Sequence, residues 1–458
     1  MIFDRNPREV PPVETSFRRI QTPIPAPGTR ELLERLESCE ARSMQGQLPL
    51  IWDRAEDFSV YDAAENRWID CTSAAFLTNV GHSNQRILAA IRNAVDQSLI
   101  HCYVYANEVR IRYQERLIEW AGWPFTKSYL VSTGSEATEA AFKIMRMEGQ
   151  RRGKRRLGVL CLEGNFHGRT TGAQMMSGNP TAREWLGFMD PDIHHLPFPY
   201  PWVMEGQDPA AFFEEGIQLL VNQGLDPSRD LCGIMLETFQ GWGAVFYPDD
   251  YVAAVKAFCK EVGVILAFDE MQAGFGRTGR DFGFQHYDVE PDLICCGKGM
   301  SGGLPLSGVL GRSELLDVAP TGSMSSTHSA NPLACAVSLA VLDEMVERDL
   351  SVESARKGEL LHRGLSELRE TYPDRISMVL GRGLLAAVIM RDPVTGLPDA
   401  RIASLVSVRC MEKGLLVVHT GRESIKISPP LTISDEAVLE AVEVLGEAIG
   451  EVSAEVDC

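Results

Sequence analysis

GVILAFDEMQAGFGRTG, residues 263–279, carries an unbroken apolar run at 264–268 that ends in two acids, Asp269 and Glu270. A run of this kind suits a strand covered on both faces, and such strands belong to parallel sheets with helices above and below. Similar short runs recur at 128–132, 157–161, 232–236, 293–296 and 308–310, separated by longer helical segments. The middle of the chain therefore predicts an α/β domain with a largely parallel sheet.

Outward from this core the pattern changes. The first thirty residues are rich in proline (Pro11-Pro12, Pro23, Pro25, Pro27) and read as an extended arm, followed by a helix from about Glu31. FSVYDAAENRWIDC (58–71) alternates around a turn at 62–66 and predicts a hairpin. After Pro332 a helical pattern covers 334–346; the strand-like stretches GRGLLAAVIM and LLVVH and an acidic helix from Ser434 then predict a smaller α+β part.

The chain has 458 residues, with 44 Lys and Arg against 63 Asp and Glu, a formal charge of -19. That balance opposes binding to nucleic acid or an anionic membrane surface. The basic run 151–156 reads as a solvated helix end and turn. No basic-then-apolar leader opens the sequence, and no segment approaches the ~20 apolar residues that span a bilayer, so a cytoplasmic protein is expected. Eleven cysteines without paired C-x-x-C spacing read as buried thiols in a reducing compartment. The adjacent pair His194-His195 would point to opposite faces of an extended stretch, so no metal site is expected.

In open parallel sheets ligands sit beyond the carboxyl ends of the strands, and three such ends carry unusual chemistry. At the first, Gly134-Ser135 opens a helix, which suits a phosphate; Thr133 and Glu136 also fit a capping box that needs no ligand. At the second, Asp269-Glu270 suits Mg²⁺, a helix cap, or a protonated ring nitrogen. At the third, CCGKGMSGGLPL (295–306) sets Lys298 among glycines but lacks the spacing of a Walker loop. Read alone it is a surface loop. A phosphate cradle, a buried acid and a lysine at successive strand ends together match the needs of pyridoxal 5′-phosphate, whose aldehyde condenses with an amine and whose ring nitrogen needs a carboxylate.

From about residue 52 to residue 443 the sequence resembles the class III pyridoxal-phosphate aminotransferases, the ω-amino acid and amine transaminases, through several motifs in fixed order. The resemblance implies fold type I: a large cofactor-binding domain with a mostly parallel mixed sheet, and a smaller α+β domain built from both termini. The expected partition is an arm at 1–30, small-domain segments at 31–80 and 333–458, and the large domain at 81–332.

It further implies that Gly134 and Ser135 hold the phosphate, that Phe166 in GNFHGRTTGA stacks on the ring with His167 behind it, and that Met271 presses on the opposite face. Asp269 would pair with the ring nitrogen, Gln272 would bond the ring hydroxyl, and Lys298 would be the Schiff-base lysine. Thr327, in SSTHSANPLACAVSLAVLD, would reach the phosphate of a neighbouring subunit in a homodimer or a dimer of dimers.

Two positions depart from the commoner pattern. Lys426 stands where many members have an arginine for the substrate carboxylate, and lysine lacks that bidentate fork. Trp242 replaces an acidic residue after Gln240-Gly241, as an apolar pocket wall or as core filling. Glu237 matches the family's glutamate, with Thr238 in place of the usual proline after it. The expected activity is ping-pong transfer of an amino group from a primary amine or ω-amino acid to an oxo acid such as pyruvate or 2-oxoglutarate. The rivals on the same fold are an amino acid racemase or epimerase and a phospho-lyase; a nucleotide-binding module without chemistry rests on Lys298 and the glycine-rich turns alone.

Overall fold

A seven-stranded sheet organises the centre of the protein, in the order Lys127–Val131, Ser307–Gly311, Leu293–Cys296, Ile265–Asp269, Leu231–Glu237, Gly158–Leu162, Ile193–Leu196. Ser307–Gly311 runs antiparallel to both neighbours and the remaining pairs are parallel. The structure is a computed structural model that describes residues 3–456; Met1, Ile2, Asp457 and the last cysteine, Cys458, lie outside the described residues. All five residues of Ile265–Asp269 are buried, as its continuous apolar run predicts. One face of the sheet packs under the helix Gly134–Arg151, whose Ala137, Ala140, Ala141 and Ile144 face Val159, Met235 and Ile265. These small side chains keep the start of that helix close to the strand ends.

A second sheet, of nine strands, draws on both ends of the chain, from Val13–Glu14 to Arg67–Cys71 and from Ile376–Arg382 to Ser424–Ile427. The hairpin read at 58–71 pairs Val60 with Trp68, and Asp62 Oδ1 closes its turn by accepting from the backbone N–H of Ala64 and Asn66. The first thirty residues are more than an arm. Val13–Glu14 pairs with Arg19–Ile20, which joins Arg67, while Phe3, Ile20 and Ile24 are buried. Apolar side chains at those three positions make docking favourable despite the prolines.

The helix Pro332–Glu347 belongs to both cores, with Ala334, Cys335 and Leu342 in one and Val337, Val341 and Met345 in the other. Packing into two cores explains the helix's apolar composition. Arg277, 1% exposed, also ties the two parts together, donating to Leu384 O, Pro429 O and Asn79 Oδ1.

Residues 73–76 form one turn of left-handed helix, with φ of 48° at Ser73, 48° at Ala74, 63° at Ala75 and 72° at Phe76. None of the four is glycine, so each costs about 1–2 kcal/mol. The turn is held by Leu77 N–H to Ser73 O at 2.8 Å, by Ser73 Oγ to Ser428 O at 2.6 Å, and by Arg277 Nη2 to Ser73 Oγ at 3.2 Å.

The basic run closes the helix ending at Arg151. Its arginines pair with carboxylates, Arg151 and Arg152 with Glu148, Arg155 with Asp230 and Arg156 with Asp192. Cys39 is exposed and Cys102 half-buried, and the other described cysteines are buried. Among the described residues no helix is long and apolar enough to cross a membrane.

Candidate active site

Parallel register brings the chemistry to one edge. Asp269 lies opposite both Glu237 and Cys295, so the ends of three strands adjoin and Lys298 follows three residues later. They open into a cavity of about 430 Å³ whose lining includes Gly134, Ser135, Phe166, His167, Glu237, Asp269, Met271, Gln272 and Lys298.

The two acids of the 263–279 stretch part company. Asp269 faces the cavity, with Oδ2 2.9 Å from His167 Nδ1 and Oδ1 accepting from Met271 N–H at 3.1 Å. Glu270 faces away and accepts from Thr238 Oγ1 and from the backbone N–H of Gly283 and Phe284, capping the short helix Gly283–His286. Thr238 thus binds Glu270 in a way that a proline would not.

The capping box at Thr133 and Glu136 is present: Glu136 N–H donates to Thr133 Oγ1, and Glu136 Oε2 accepts from Thr133 N–H. It excludes no ligand, because the first two helical N–H groups, of Gly134 and Ser135, remain for an anion. Thr138 Oγ1 donates to His167 O at 2.7 Å and Arg169 N–H to Ser135 Oγ at 3.2 Å, fixing the 166–169 segment against this helix. Gly168, at φ 139°, could not be replaced quietly: a Cβ there would lie 2.4 Å from Ser135 Oγ.

Lys298 has φ 46° and opens the turn Lys298–Ser301. Burial pushes its amine below the ordinary lysine value, against the pull of Asp269 and Glu237. Gly297 beside it has extended backbone, and a Cβ there would meet Met271 Sδ at 2.5 Å. The glycine allows the lysine segment to close on Met271. Glu237 is pushed up to about 8, first by burial and then by the neighbouring Asp269, although Phe166 N–H and Gly241 N–H donate to it.

Three residues singled out from the sequence do not line this cavity. Thr327 is exposed on the loop before Pro332. Trp242 donates Nε1–H to Tyr200 Oη at 3.0 Å and carries Arg422 over its ring at 3.8 Å. Lys426, the substrate candidate that lacks arginine's fork, is buried behind Gln272, its Nζ 3.0 Å from Gln272 Oε1 and 2.8 Å from Gly241 O. Leu77, Ser301 and the 304–306 segment line the cavity without having been singled out as site residues. Leu77 is an ordinary apolar residue whose sequence context carries no chemical signal.

His195 meets Arg183 Nη1 at 3.0 Å, and no cluster of three potential metal ligands exists among the described residues.

The set fits pyridoxal 5′-phosphate: an anion cradle at a helix start, a buried carboxylate, a half-exposed aromatic ring at Phe166, and a desolvated lysine that no described hydrogen bond holds. The sequence profile of "Aminotransferase class-III" matches residues 41–449. The chain is 33% identical over 408 residues to a probable 4-aminobutyrate aminotransferase of Bacillus subtilis, covering 86% of this chain and 91% of that one. It is 31% identical over 412 residues to a leucine/methionine racemase of Thermococcus litoralis, covering 88% and 91%. An (S)-enantioselective ω-transaminase from Thermomicrobium roseum superposes with a TM-score of 0.85 at 28% identity, over 92% of this chain and 98% of that one. The chain belongs to the class III aminotransferases, which depend on pyridoxal 5′-phosphate.

Proposed function

We propose that the protein moves an amino group from a primary amine or ω-amino acid to a small oxo acid, with Lys298 as its catalytic amine. The observation that carries this is the desolvated amine of Lys298 in a cavity shared with Asp269 and the helix start at Gly134. When bound, pyridoxal phosphate supplies the aldehyde that captures amines and the ring that accepts electrons from the donor carbon.

The protein's residues do the remaining work. Lys298 Nζ, whose proton is loosened by burial, would accept the proton given up by the donor carbon. Asp269, oriented by His167 and Met271 N–H, holds the ring nitrogen's proton. Gly134 and Ser135 would anchor the phosphate, and Phe166 and Met271 would hold the ring. Gln272 donates to the ring hydroxyl.

Thr327 belongs to a second copy's site in a cytoplasmic homodimer. Its loop touches a segment with exposed apolar side chains, Leu99, Ile100 and Val104, through Tyr103 Oη to Ser325 Oγ at 3.1 Å and through the rings of His101 and His328 at 5.5 Å. Exposed apolar patches of this kind mark interfaces.

The likeness to a racemase supports a second reading, in which the nitrogen never leaves the donor. A single-turnover experiment without acceptor separates the two. An aminotransferase releases one equivalent of aldehyde or oxo product per site, and a racemase releases none.

A further inference from the structure

Lys426 stands in the strand Ser424–Ile427, 5% exposed, and its surroundings leave its amine little freedom. Nζ donates to Gly241 O at 2.8 Å and to Gln272 Oε1 at 3.0 Å, and the ring of Phe76 covers it with its centroid 4.5 Å away. Gln272 lines the cavity and Lys426 does not, so the carboxamide stands between the amine and any substrate. A carboxamide has one oxygen and one nitrogen end. With the oxygen taken by an amine that can only donate to it, the nitrogen must face elsewhere. It lies toward Gly241 and Glu237, since a Cβ on Gly241 would sit 2.7 Å from both Gln272 Nε2 and Glu237 Oε1.

We propose that Lys426 is a positioning residue, which clamps the Gln272 carboxamide by its oxygen and so presents the amide nitrogen as the donor to the cofactor's ring hydroxyl. This rests on the aminotransferase reading above. Its consequence for substrates is that discrimination between donors with and without a distal carboxylate does not come from this lysine. To reach a carboxylate in the cavity, Lys426 would have to give up both hydrogen bonds and leave Phe76, and Gln272 would then lose its orientation.

The test uses the full-length enzyme loaded with pyridoxal phosphate and compares wild type, Lys426→Met, Lys426→Arg and Gln272→Leu. The readouts are the pH midpoint of the cofactor's visible absorption band, and kcat and KM for 4-aminobutyrate and for butylamine, which have the same length but only one carboxylate between them.

With a clamp, Lys426→Met moves the midpoint by about half a unit or more and lowers kcat about tenfold for both donors, the expected effect of losing one buried hydrogen bond. The ratio of the two KM values stays within about twofold of wild type. Gln272→Leu reproduces the shift in midpoint, and Lys426→Arg, which keeps donors near Gln272 Oε1, recovers part of it.

A tenfold rise in KM confined to 4-aminobutyrate, with the band unchanged, would make Lys426 a carboxylate binder and overturn the proposal. Should Lys426→Met not fold, Gln272→Leu decides, because an unchanged band and kcat in that variant also overturns the clamp. Absence of the visible band from wild type would instead overturn the cofactor reading itself.

Discussion

His167 Nδ1 lies 2.9 Å from Asp269 Oδ2, with both side chains buried. The other carboxylate oxygen accepts from Met271 N–H, so both oxygens of the acid are held by the protein. His167→Leu leaves it with the backbone bond alone, at a cost of about 1–3 kcal/mol for an under-partnered buried group. The expected result is a fall in kcat of about ten- to a hundredfold. Asp269→Asn, which cannot hold the ring nitrogen's proton in the same way, is expected to cost more. Steady-state kinetics at saturating cofactor measure both.

Lys298→Ala removes the amine proposed as the catalytic one. Turnover is expected to fall by about a thousandfold or more, the scale of a lost general base together with a lost covalent attachment. Borohydride reduction followed by peptide mass analysis provides an independent check. It should fix the cofactor to the peptide containing residue 298 in wild type and fix nothing there in the variant.

The phosphate cradle is tested by binding rather than by rate. Ser135→Ala deletes a hydroxyl beside the first turn of the Gly134–Arg151 helix, and Gly168→Ala drives a methyl to 2.4 Å from that same hydroxyl oxygen. Each is expected to raise the cofactor Kd about tenfold or more, since hydrogen bonds to charged groups contribute about 1.5–3 kcal/mol. Titration of apoprotein with pyridoxal phosphate, followed by fluorescence quenching, gives both values.

Glu237 makes a pH-dependent prediction. Burial and the neighbouring Asp269 raise it from an ordinary 4.5 to about 8. Between those values the native protein keeps a proton that the unfolded chain has released, so this group's stabilisation is complete below pH 4.5 and is lost as pH rises through 8. Glu237→Gln cannot ionise and escapes that loss. Its stability relative to wild type should therefore climb by about 1–3 kcal/mol between pH 5.5 and 8.5, measured by urea denaturation at each pH. A flat or falling difference would contradict the raised value.

How much of this was legible in the sequence depended on whether the signal was local. The central strands announced themselves as apolar runs, because burial on both faces leaves no room for alternation. Ile193–Leu196 did not, since an edge strand holding His194 and His195 has no such run. That Asp269, Lys298 and the Gly134 turn would share one cavity was legible because strand ends converge in this architecture. The different fates of Asp269 and Glu270 were not, because adjacent side chains of an extended chain face opposite ways and only the packing of Gly283–His286 decides which of them meets solvent space. The engagement of Lys426 was not legible for a similar reason: its partners are Gly241 and Gln272, far away in sequence, and nothing local marks an amine as already engaged.

The left-handed turn at 73–76 restricts how this cavity can be reshaped by mutation. Leu77, the next residue, lines the cavity wall, so the turn is a natural target for altering donor scope. Yet positions 74 and 75 sit where β-branched side chains are strongly disfavoured and glycine, asparagine and aspartate are tolerated. A saturation library at these two positions, selected for folded protein, should return those residues and alanine while losing valine, isoleucine and threonine. Ala75→Gly should gain about 1 kcal/mol of stability, where an alanine-to-glycine change in a right-handed helix would lose a similar amount. Leu77 itself, outside the run of positive φ, should accept the full range of apolar residues. At this part of the wall the handedness of the four residues before it therefore leaves Leu77 as the side chain open to change.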